Sequence, residues 1–397
     1  MATLQHLSLL PDDPILGLAQ LYQQDPRSDK VDLGIGIYKD ATGQSSVLAS
    51  VKKAEAWLLQ HQATKAYTAT SGAEGFGATI SSLVVGAEHG VTRVIQAPGA
   101  TGALRLAAEL AKRAGMVRVA IGVPTWPLHP GQFGDAGVQV VTYAHLKADG
   151  VFNLEGLLSA VAQLQPGDLV LLQAACHNPT GVDLDSEQWV QVLEAINARQ
   201  VVPVFDLAYQ GFGQGLEEDA RVVRLFAEQL DSVWIASSCS KNFGLYRERT
   251  GALLLTGRNL SSSAVLESHA LQIARGLWSM PPAHGAQVVT TILASDELRS
   301  LWLQELVAMR TRIETLRRQL VAGLGTRAGA RFDRLANQHG MFSYLACTPG
   351  SVQTLREDHG IYLVGNGRLN VSGLAEGNID QVANALVATF DGEEPVV

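Results

Sequence analysis

The sequence has few cysteines, no basic tract, no long apolar run and no leader-like N-terminus. Its 3 cysteines, Cys176, Cys239 and Cys347, are too few and too widely spaced for a disulfide framework or a zinc site, and we expect no metal. A net charge of −8 without a basic patch argues against a nucleic-acid partner. No apolar stretch approaches the length of a membrane span, and residues 1–13 lack the parts of a signal peptide. These absences predict a protein of the reducing cytoplasm.

What the chain does contain is enough apolar sequence for a large core. It has 397 residues, 47% of them hydrophobic, which is enough for two domains or for one large domain with an appendage. From about residue 92 onward, apolar runs alternate with helical patterns at a spacing typical of a mainly parallel sheet wound with helices. The predicted strands are 94–97, 117–121, 138–143, 169–173, 201–206 and 233–236, and the predicted helices are 103–114, 153–164, 186–199 and 220–229.

The segments outside this alternation indicate a second, smaller unit. Residues 295–324 predict a long amphipathic helix that suits a connection between two domains. Short strand-like and helical stretches between residues 331 and 390 are typical of an α+β unit. Residues 1–11 lack periodicity and are either an arm that lies on a partner subunit or a frayed end.

Lys241 stands just beyond an apolar run that reads as a buried strand, among hydroxyl-bearing residues and near Arg249. A lysine is rarely buried without a partner. Desolvation and nearby cations lower the pKa of a lysine and make it the nucleophilic amine that Schiff-base chemistry needs. The alternative is an ordinary surface lysine after a strand.

Several polar groups follow strand ends elsewhere in the chain, namely Asp206, the loop 173–178 and the turn 99–101. Ligands of parallel sheets bind beyond the carboxyl ends of the strands, so we expect these groups to converge with Lys241. Residues 98–102 (PGATG) join a strand to a helix, where free N–H groups bind phosphate, although a plain tight turn is the alternative. Hydroxyls and a guanidinium for the same phosphate are available from Ser238, Ser240 and Arg249.

Other candidate groups each have an ordinary structural explanation as well. Asp206, with Tyr209 close by, could pair with a pyridinium nitrogen or simply cap a helix or loop. Trp126 follows a strand and could stack on a flat ring or belong to the core. Arg275 and Arg368 could each hold a carboxylate bidentately or lie on the surface.

Taken together, four motifs resemble those of the class I pyridoxal-phosphate aminotransferases, in the aspartate and aromatic amino acid branch. They are residues 177–181 (HNPTG), 206–212 (DLAYQGF), 240–246 (SKNFGLY) and 281–286 (PPAHGA). The resemblance extends from residues 13–18 to residues 367–371. It implies an α/β fold of type I, with a large domain whose mostly parallel sheet is flanked by helices and a small α+β domain. The implied division is an N-terminal arm at 1–11, a small domain at 12–45 and 310–397, and a large cofactor-binding domain at 46–309.

The resemblance implies pyridoxal 5′-phosphate as cofactor and a homodimer with shared active sites. Lys241 resembles the lysine that bonds to the cofactor and later moves the substrate proton, and Asp206 resembles the partner of the pyridine nitrogen. Tyr209 and Asn178 resemble the residues that bind the 3′ oxygen, and Trp126 resembles the stacking tryptophan. The implied phosphate ligands are Gly99, Ala100, Thr101, Ser238 and Arg249, with Tyr67 of the partner subunit.

The implied substrates are an amino acid and a 2-oxo acid. Arg368, with Gly36, Asn178 and Trp126, resembles the site of the α-carboxylate. Arg275 of the partner subunit resembles the arginine that binds the distal carboxylate of aspartate, glutamate or 2-oxoglutarate.

Three positions depart from the pattern of the relatives. Leu128 and Met280 replace residues that are commonly polar, and Gln173 replaces a common histidine. We therefore hypothesise a side-chain pocket that accepts apolar or aromatic substrates with Arg275 swung aside. Two residues, Lys39 and Thr101, resemble instead the members that prefer dicarboxylates.

The predicted function is transfer of an amino group between an L-amino acid, aspartate or aromatic, and 2-oxoglutarate by a ping-pong mechanism. A pyridoxal-phosphate lyase or decarboxylase is the alternative, because fold does not determine function. The pair of Arg275 and Arg368 argues against it, since dicarboxylate binding is a need of transaminases. A non-catalytic binding module is a third reading, which retention of Lys241, Asp206, Tyr209 and Arg249 disfavours.

Overall fold

The computed structural model describes residues 9, 14–86, 92–258, 262–365 and 367–390. The N-terminal arm predicted at 1–11 therefore lies outside the described residues, apart from Leu9. The helices are α1 Pro14–Gln24, α2 Ala49–His61, α3 Phe76–Val84, α4 Gly99–Arg113, α5 His129–Gly134, α6 Leu154–Gln163, α7 Ser186–Arg199, α8 Arg221–Gln229, α9 Ser263–Leu277, α10 Ala283–Ala294, α11 Asp296–Ala328, α12 Pro349–His359 and α13 Ile379–Phe390. The strands are β1 Val31–Asp32, β2 Thr92–Pro98, β3 Arg118–Val123, β4 Gln139–Ala144, β5 Leu169–Gln173, β6 Val202–Leu207, β7 Val233–Ser238, β8 Thr250–Thr256, β9 Phe342–Tyr344, β10 Ile361–Tyr362 and β11 Arg368–Asn370.

A seven-stranded sheet forms the centre of the chain, in the order β2-β8-β7-β6-β5-β3-β4. The five strands β4, β3, β5, β6 and β7, which are adjacent in this order, are parallel to one another. Strand β8 runs antiparallel to both of its neighbours, β2 and β7. Strands β5, β7 and β8 are buried along their whole length, as expected where helices cover both faces of a sheet. The mainly parallel sheet predicted from the sequence is confirmed, and β8 is an element that the sequence analysis missed.

Successive side chains along the central strands point to opposite faces of the sheet, and each face is covered by its own hydrophobic core. On β7, Trp234 packs with the apolar side of α4, whereas Ile235 packs in the opposite cluster with Phe205 and Phe226. All four side chains are fully buried. The sheet is therefore a rigid platform, and polar groups concentrate at its edge where the strands end.

A second unit is built from the N-terminal segment and the C-terminal part of the chain. Strand β1 pairs in parallel with β10, and β9 pairs antiparallel with β11. The 33-residue helix α11 begins with Asp296 and Glu297, acidic residues that suit the positive end of a helix dipole. The helix predicted at 295–324 is therefore confirmed, and the observed helix continues beyond residue 324 to Ala328. The domain boundaries named above remain a prediction.

The extended segment predicted at 31–38 forms a strand only over β1. Beyond Asp32 the backbone passes close to its neighbours: a Cβ placed on Gly34 would lie 2.3 Å from a methyl of Leu18. A side chain at this position would force Leu18 to move, so glycine suits the close approach. Within the described residues, no helix combines the length and the apolarity that crossing a membrane would require.

Candidate active site

A cavity of about 130 Å³ lies at the carboxyl ends of β6 and β7, beside the first turn of α4. Polar groups from distant parts of the sequence meet there because parallel strands end at the same edge of a sheet. The residues that line it are Gly36, Ala100, Thr101, Trp126, Asn178, Asp206, Ala208, Tyr209, Ser238, Ser240, Lys241, Tyr246 and Arg249. The convergence predicted from the strand ends is confirmed for these residues.

Lys241 follows β7 and presents its amine to this cavity. Burial lowers the pKa of Lys241 to about 8; the carboxylate of Asp206 opposes that shift, and the cations Arg249 and Arg368 add to it. The amine lies 4.9 Å from the centre of the Tyr209 ring. A lysine in these surroundings is partly unprotonated near neutral pH, so its amine can act as a nucleophile or as a base.

Asp206, near the end of β6, is 7% exposed and has one oxygen bound and one oxygen unbound. Its Oδ2 lies 3.1 Å from Nε2 of His129 at the start of α5, and Nδ1 of that histidine lies 2.8 Å from the Thr125 hydroxyl. Its Oδ1 is buried without a hydrogen-bond partner among the described residues. A buried carboxylate oxygen without a donor is unfavourable. The site therefore fits a ligand that brings a cationic N–H group to Asp206.

His129 is a residue that the sequence analysis missed. It comes three residues after Trp126, and the two rings meet edge to face with centroids 5.2 Å apart. Its position after β3 could have indicated it, because the end of β3 lies at the same edge of the sheet as Asp206.

The N-terminus of α4 and Arg249 lie together on another side of the cavity. The sequence predicted a turn at 98–102 and a helix from 103, but the helix begins at Gly99, whose φ is +73°. A Cβ on Gly99 would lie 2.6 Å from Nη2 of Arg249, so the guanidinium needs the glycine. Arg249 forms no ion pair with a carboxylate in the part of the chain that the structure describes. A helix N-terminus beside such a guanidinium fits a phosphate.

Asn178 occupies the loop after β5, and Gln173 holds that loop from behind. Gln173 accepts the N–H of Asn178 at 2.8 Å and donates to its carbonyl at 3.0 Å. Asp183, half-buried in the same loop, accepts the N–H groups of Cys176 and His177 at 2.7 and 2.8 Å. The Asn178 side chain can therefore point into the cavity, where its amide lies 3.5 Å from the Tyr209 hydroxyl.

Arg368 on β11 is 3% exposed, so the reading of a surface arginine is wrong for this residue. It donates to Oδ1 of Asn178 at 3.2 Å and to the Gly34 carbonyl at 2.7 Å. Its guanidinium carbon lies 4.4 Å from the centre of the Phe342 ring. A Cβ placed on Gly36 would approach Nη2 of Arg368 to 3.9 Å, so glycine keeps the space beside the guanidinium open. The arrangement can hold a carboxylate.

The remaining predicted residues lie apart from this cavity within a single chain. Tyr67 is 90% exposed and Leu128 is 45% exposed. Arg275, also exposed, donates through Nη1 to the Ser279 hydroxyl and to the Met280 sulfur, each at 3.0 Å. One chain thus assembles the Lys241 side of the site and leaves the Arg275 side on its surface.

Comparison with known proteins agrees with this geometry. The model of the family "Aminotransferase class I and II" matches residues 28–386. The aromatic-amino-acid aminotransferase of Pseudomonas aeruginosa is 45% identical over 393 residues, covering 97% of this chain and 98% of its own length. The aspartate aminotransferase of Escherichia coli K12 is 42% identical over 394 residues, covering 97% of this chain and 100% of its own length.

A solved structure shows the same likeness in three dimensions. The aromatic-amino-acid aminotransferase from Burkholderia pseudomallei, covalently bound to pyridoxal phosphate, matches with a TM-score of 0.94 and 40% identity, covering 98% of this chain and 100% of that one. The predicted fold type, aminotransferase activity and pyridoxal-phosphate dependence are thereby confirmed. The chain belongs to the aminotransferase class I and II family.

Proposed function

We propose that this enzyme exchanges the amino group between an L-amino acid, either aspartate or an aromatic amino acid, and 2-oxoglutarate, in a ping-pong reaction with pyridoxal 5′-phosphate in the Lys241 cavity. The observation that carries the proposal is one cavity with three complementary features. They are the amine of Lys241, the unbound carboxylate oxygen of Asp206 and the guanidinium of Arg249 at the start of α4. Arg368 supplies a second cationic group beside it.

Pyridoxal phosphate, when bound, supplies an electron-accepting ring that stabilises negative charge on the substrate α-carbon. Asp206 would keep a proton on the ring nitrogen, and His129 would hold Oδ2 of Asp206 so that Oδ1 faces the ring. Lys241 would bond to the cofactor and, once substrate takes its place, its free amine would take the proton from the substrate α-carbon and hold it for transfer. Its lowered pKa suits both tasks near neutral pH.

The other cavity residues orient the reactants. Tyr209 and Asn178 would bind the 3′ oxygen of the ring, and Trp126 would stack on its face. The phosphate would be held by the first turn of α4 and by hydroxyl and guanidinium groups, namely Gly99, Ala100, Thr101, Ser238 and Arg249.

Arg368 would bind the α-carboxylate of every substrate, with Asn178 and Gly36 beside it. Its guanidinium is already oriented by Asn178 Oδ1 and by the Gly34 carbonyl. Because all amino donors and 2-oxo acids share this carboxylate, the contact sets affinity and orientation without selecting among them.

We further propose a homodimer, in which Tyr67 and Arg275 complete the cavity of the other subunit. The exposure of both side chains on the single chain supports this arrangement. Cys176 and Cys239 are free thiols in the buried core, which supports a reducing compartment such as the cytoplasm.

Donor selectivity would depend on the Arg275 side of the site. Leu128 and Met280 would make this side of the pocket more apolar, and the Met280 sulfur is only a weak hydrogen-bond acceptor for Arg275. Among the residues that the structure describes, Arg275 is held only by this contact and by an exposed hydrogen bond to the neighbouring Ser279 hydroxyl, so it would swing aside at small cost and let the pocket accept an aromatic side chain or a dicarboxylate. Lys39, whose Nζ lies 2.9 Å from Oδ2 of Asp32, and Thr101 resemble instead the members of the family that prefer dicarboxylates.

The test is a panel of amino donors with 2-oxoglutarate, repeated with Arg275→Ala. We expect aspartate and phenylalanine to have kcat/KM values within about a hundredfold of each other, a gap of under 3 kcal/mol. Arg275→Ala should lower kcat/KM for aspartate by at least about tenfold and leave phenylalanine within about threefold. A far larger preference for aspartate would contradict the dual selectivity. Repeated turnover of the amino donor without 2-oxoglutarate would favour the alternatives: release of a keto acid with ammonia indicates a lyase, and release of CO2 indicates a decarboxylase.

A further inference from the structure

Residues 34–39, here called the substrate segment, follow β1 and run between the cavity and β11. Side chains from the C-terminal unit hold the backbone of this segment. Arg368 donates to the Gly34 carbonyl at 2.7 Å, and Asn370 donates to the carbonyls of Ile35 and Ile37 at 2.7 and 2.8 Å. These contacts fix the segment to β11. They do not by themselves fix its position relative to Lys241.

A hydrogen bond reaches the segment from the cofactor side. The backbone N–H of Tyr38 donates to the hydroxyl of Tyr246 at 2.8 Å. Tyr246 lines the same cavity as Lys241 and belongs to the same loop after β7. Its own carbonyl accepts a hydrogen bond from Nη1 of Arg249 at 3.1 Å. A single residue therefore contacts both the proposed phosphate arginine and the substrate segment.

The chemistry of Tyr246 suits a fixed acceptor. Burial raises its pKa to about 12, and the N–H of Tyr38 opposes that shift. The hydroxyl is therefore neutral at physiological pH and offers lone pairs to the N–H. A phenylalanine would keep the ring and its packing, but it would leave the N–H of Tyr38 without this acceptor, and an unsatisfied buried donor is unfavourable.

We propose that Tyr246 is a positioning residue that ties the substrate segment to the Lys241–Arg249 loop and so holds Gly36 in place beside Arg368 in the carboxylate site. The proposal rests on the proposed function, because it takes Arg368 and Gly36 as that carboxylate site. Tyr246 acts through the backbone of the segment and needs no contact with substrate. Its loss should therefore weaken all substrates alike, whatever their side chain.

The test compares the holoenzyme with its Tyr246→Phe variant and with Tyr143→Phe as control. Tyr143 lies on β4 and lines a different cavity, so its hydroxyl has no part in the segment. We expect Tyr246→Phe to speed hydrogen exchange of the Tyr38 amide about tenfold. KM should rise about tenfold for both aspartate and phenylalanine, with kcat and the ratio of the two donors within about threefold of wild type. Binding of 3-phenylpropionate should weaken in parallel.

Each other outcome has a definite meaning. Unchanged exchange and unchanged KM would overturn the proposal, as would a lower Tm without a change in KM, which indicates packing alone. If Tyr246→Phe does not fold, hydrogen exchange is measured on the wild-type protein instead. A Tyr38 amide that exchanges as fast as an exposed loop amide would then overturn the proposal. If the wild type lacks transaminase activity, the proposed function fails, whereas the exchange result still tests the hydrogen bond.

Discussion

The Lys241 side and the Arg275 side of the proposed site differ in how strongly one chain determines them. On the first side, Asp206, Asn178 and Arg368 are 7%, 5% and 3% exposed. On the second side, Tyr67 is 90% exposed and Leu128 is 45% exposed. The first side is held by several hydrogen bonds to distant parts of the fold, and Arg275 on the second bonds to near neighbours in the sequence.

This difference separates chemistry from selectivity. Groups that must be placed within fractions of an ångström lie in the packed edge of a rigid sheet, where neighbours limit their rotamers. Groups that distinguish one side chain from another lie on the surface and, on our proposal, act across a subunit boundary. Changes on the first side should therefore reduce every reaction, whereas changes on the second should redistribute activity among substrates.

The largest effect is expected from Lys241→Ala. The variant loses the amine that bonds to the cofactor and moves the proton, so kcat should fall by about 10⁴-fold or more for every donor. Absorbance of the covalently bound cofactor should vanish from the purified protein, while the far-ultraviolet circular dichroism stays unchanged. Lys53→Ala, on the exposed face of α2, is the matched control and should behave as wild type. Retention of most activity in Lys241→Ala would contradict the assignment.

The second prediction concerns the pH dependence of the cofactor-free protein. With a pKa of about 8, the Lys241 amine is protonated below that pH and free above it. An ordinary lysine titrates near 10.4, so about two hundred times more free amine is available at pH 7. The rate of pyridoxal-phosphate incorporation should rise about tenfold per pH unit up to pH 8 and then level off. A rate that keeps rising to pH 10 would show that burial does not lower this pKa.

The same shift has a consequence for stability. Between pH 8 and the ordinary value, the folded chain has released the proton of Lys241 and the unfolded chain still holds it. The unfolded state therefore binds more protons, and the free energy of unfolding should rise with pH in this window and fall as the pH drops to 8. Lys241→Met should remove this part of the pH dependence.

Arg368→Lys should have the next largest effect, and it should be uniform. An ammonium keeps the charge but cannot contact a carboxylate, Asn178 Oδ1 and the Gly34 carbonyl with the planar geometry of a guanidinium. We expect kcat/KM to fall about a hundredfold for aspartate and phenylalanine alike. The measurement is steady-state kinetics with both donors, with the exposed Arg318→Lys as control. A loss confined to one donor would place Arg368 in side-chain recognition instead.

The smallest predicted effect belongs to Met280→Asn. An amide offers Arg275 a stronger acceptor than the thioether that now lies 3.0 Å from Nη1, and it makes the proposed side-chain pocket more polar. The ratio of kcat/KM for aspartate to that for phenylalanine should rise about fivefold, or about 1 kcal/mol. Met280→Leu, which is apolar and similar in volume, should leave the ratio within about twofold. If the ratio changes equally in both variants, the effect comes from removal of the Met280 sulfur and not from the added polar group.

Much of the sheet could be predicted because its strands are short, mainly apolar runs. The strand predicted at 169–173 and the helix predicted at 186–199 coincide with β5 and α7. Strand β8 was missed although it is as apolar as its neighbours, and no local signal showed that it returns antiparallel between β2 and β7. The start of α4 was misplaced because Gly99 and Gly102 look like a turn, whereas tight packing against Arg249 and Pro98 requires them there.

Within the site, the residues that follow strand ends could be named, and their partners could not. The bond between His129 and Asp206 joins residues 77 positions apart, and the bond between Tyr38 and Tyr246 joins residues 208 positions apart. No periodicity or spacing connects such pairs, because their members meet only when distant parts of the chain fold together.

By itself, the sequence determined the family, the mainly parallel sheet and the side chains able to carry the chemistry, because apolar runs and motifs are local properties of the chain. Only the tertiary structure determined the environment and hence the chemistry of those side chains. It gives Lys241 a pKa of about 8, binds one oxygen of Asp206 to His129 and buries Arg368 against Phe342. The reason is physical, since burial, nearby charge and hydrogen-bond partners come from residues far apart in sequence. An amino-acid type has no fixed reactivity until those neighbours surround it.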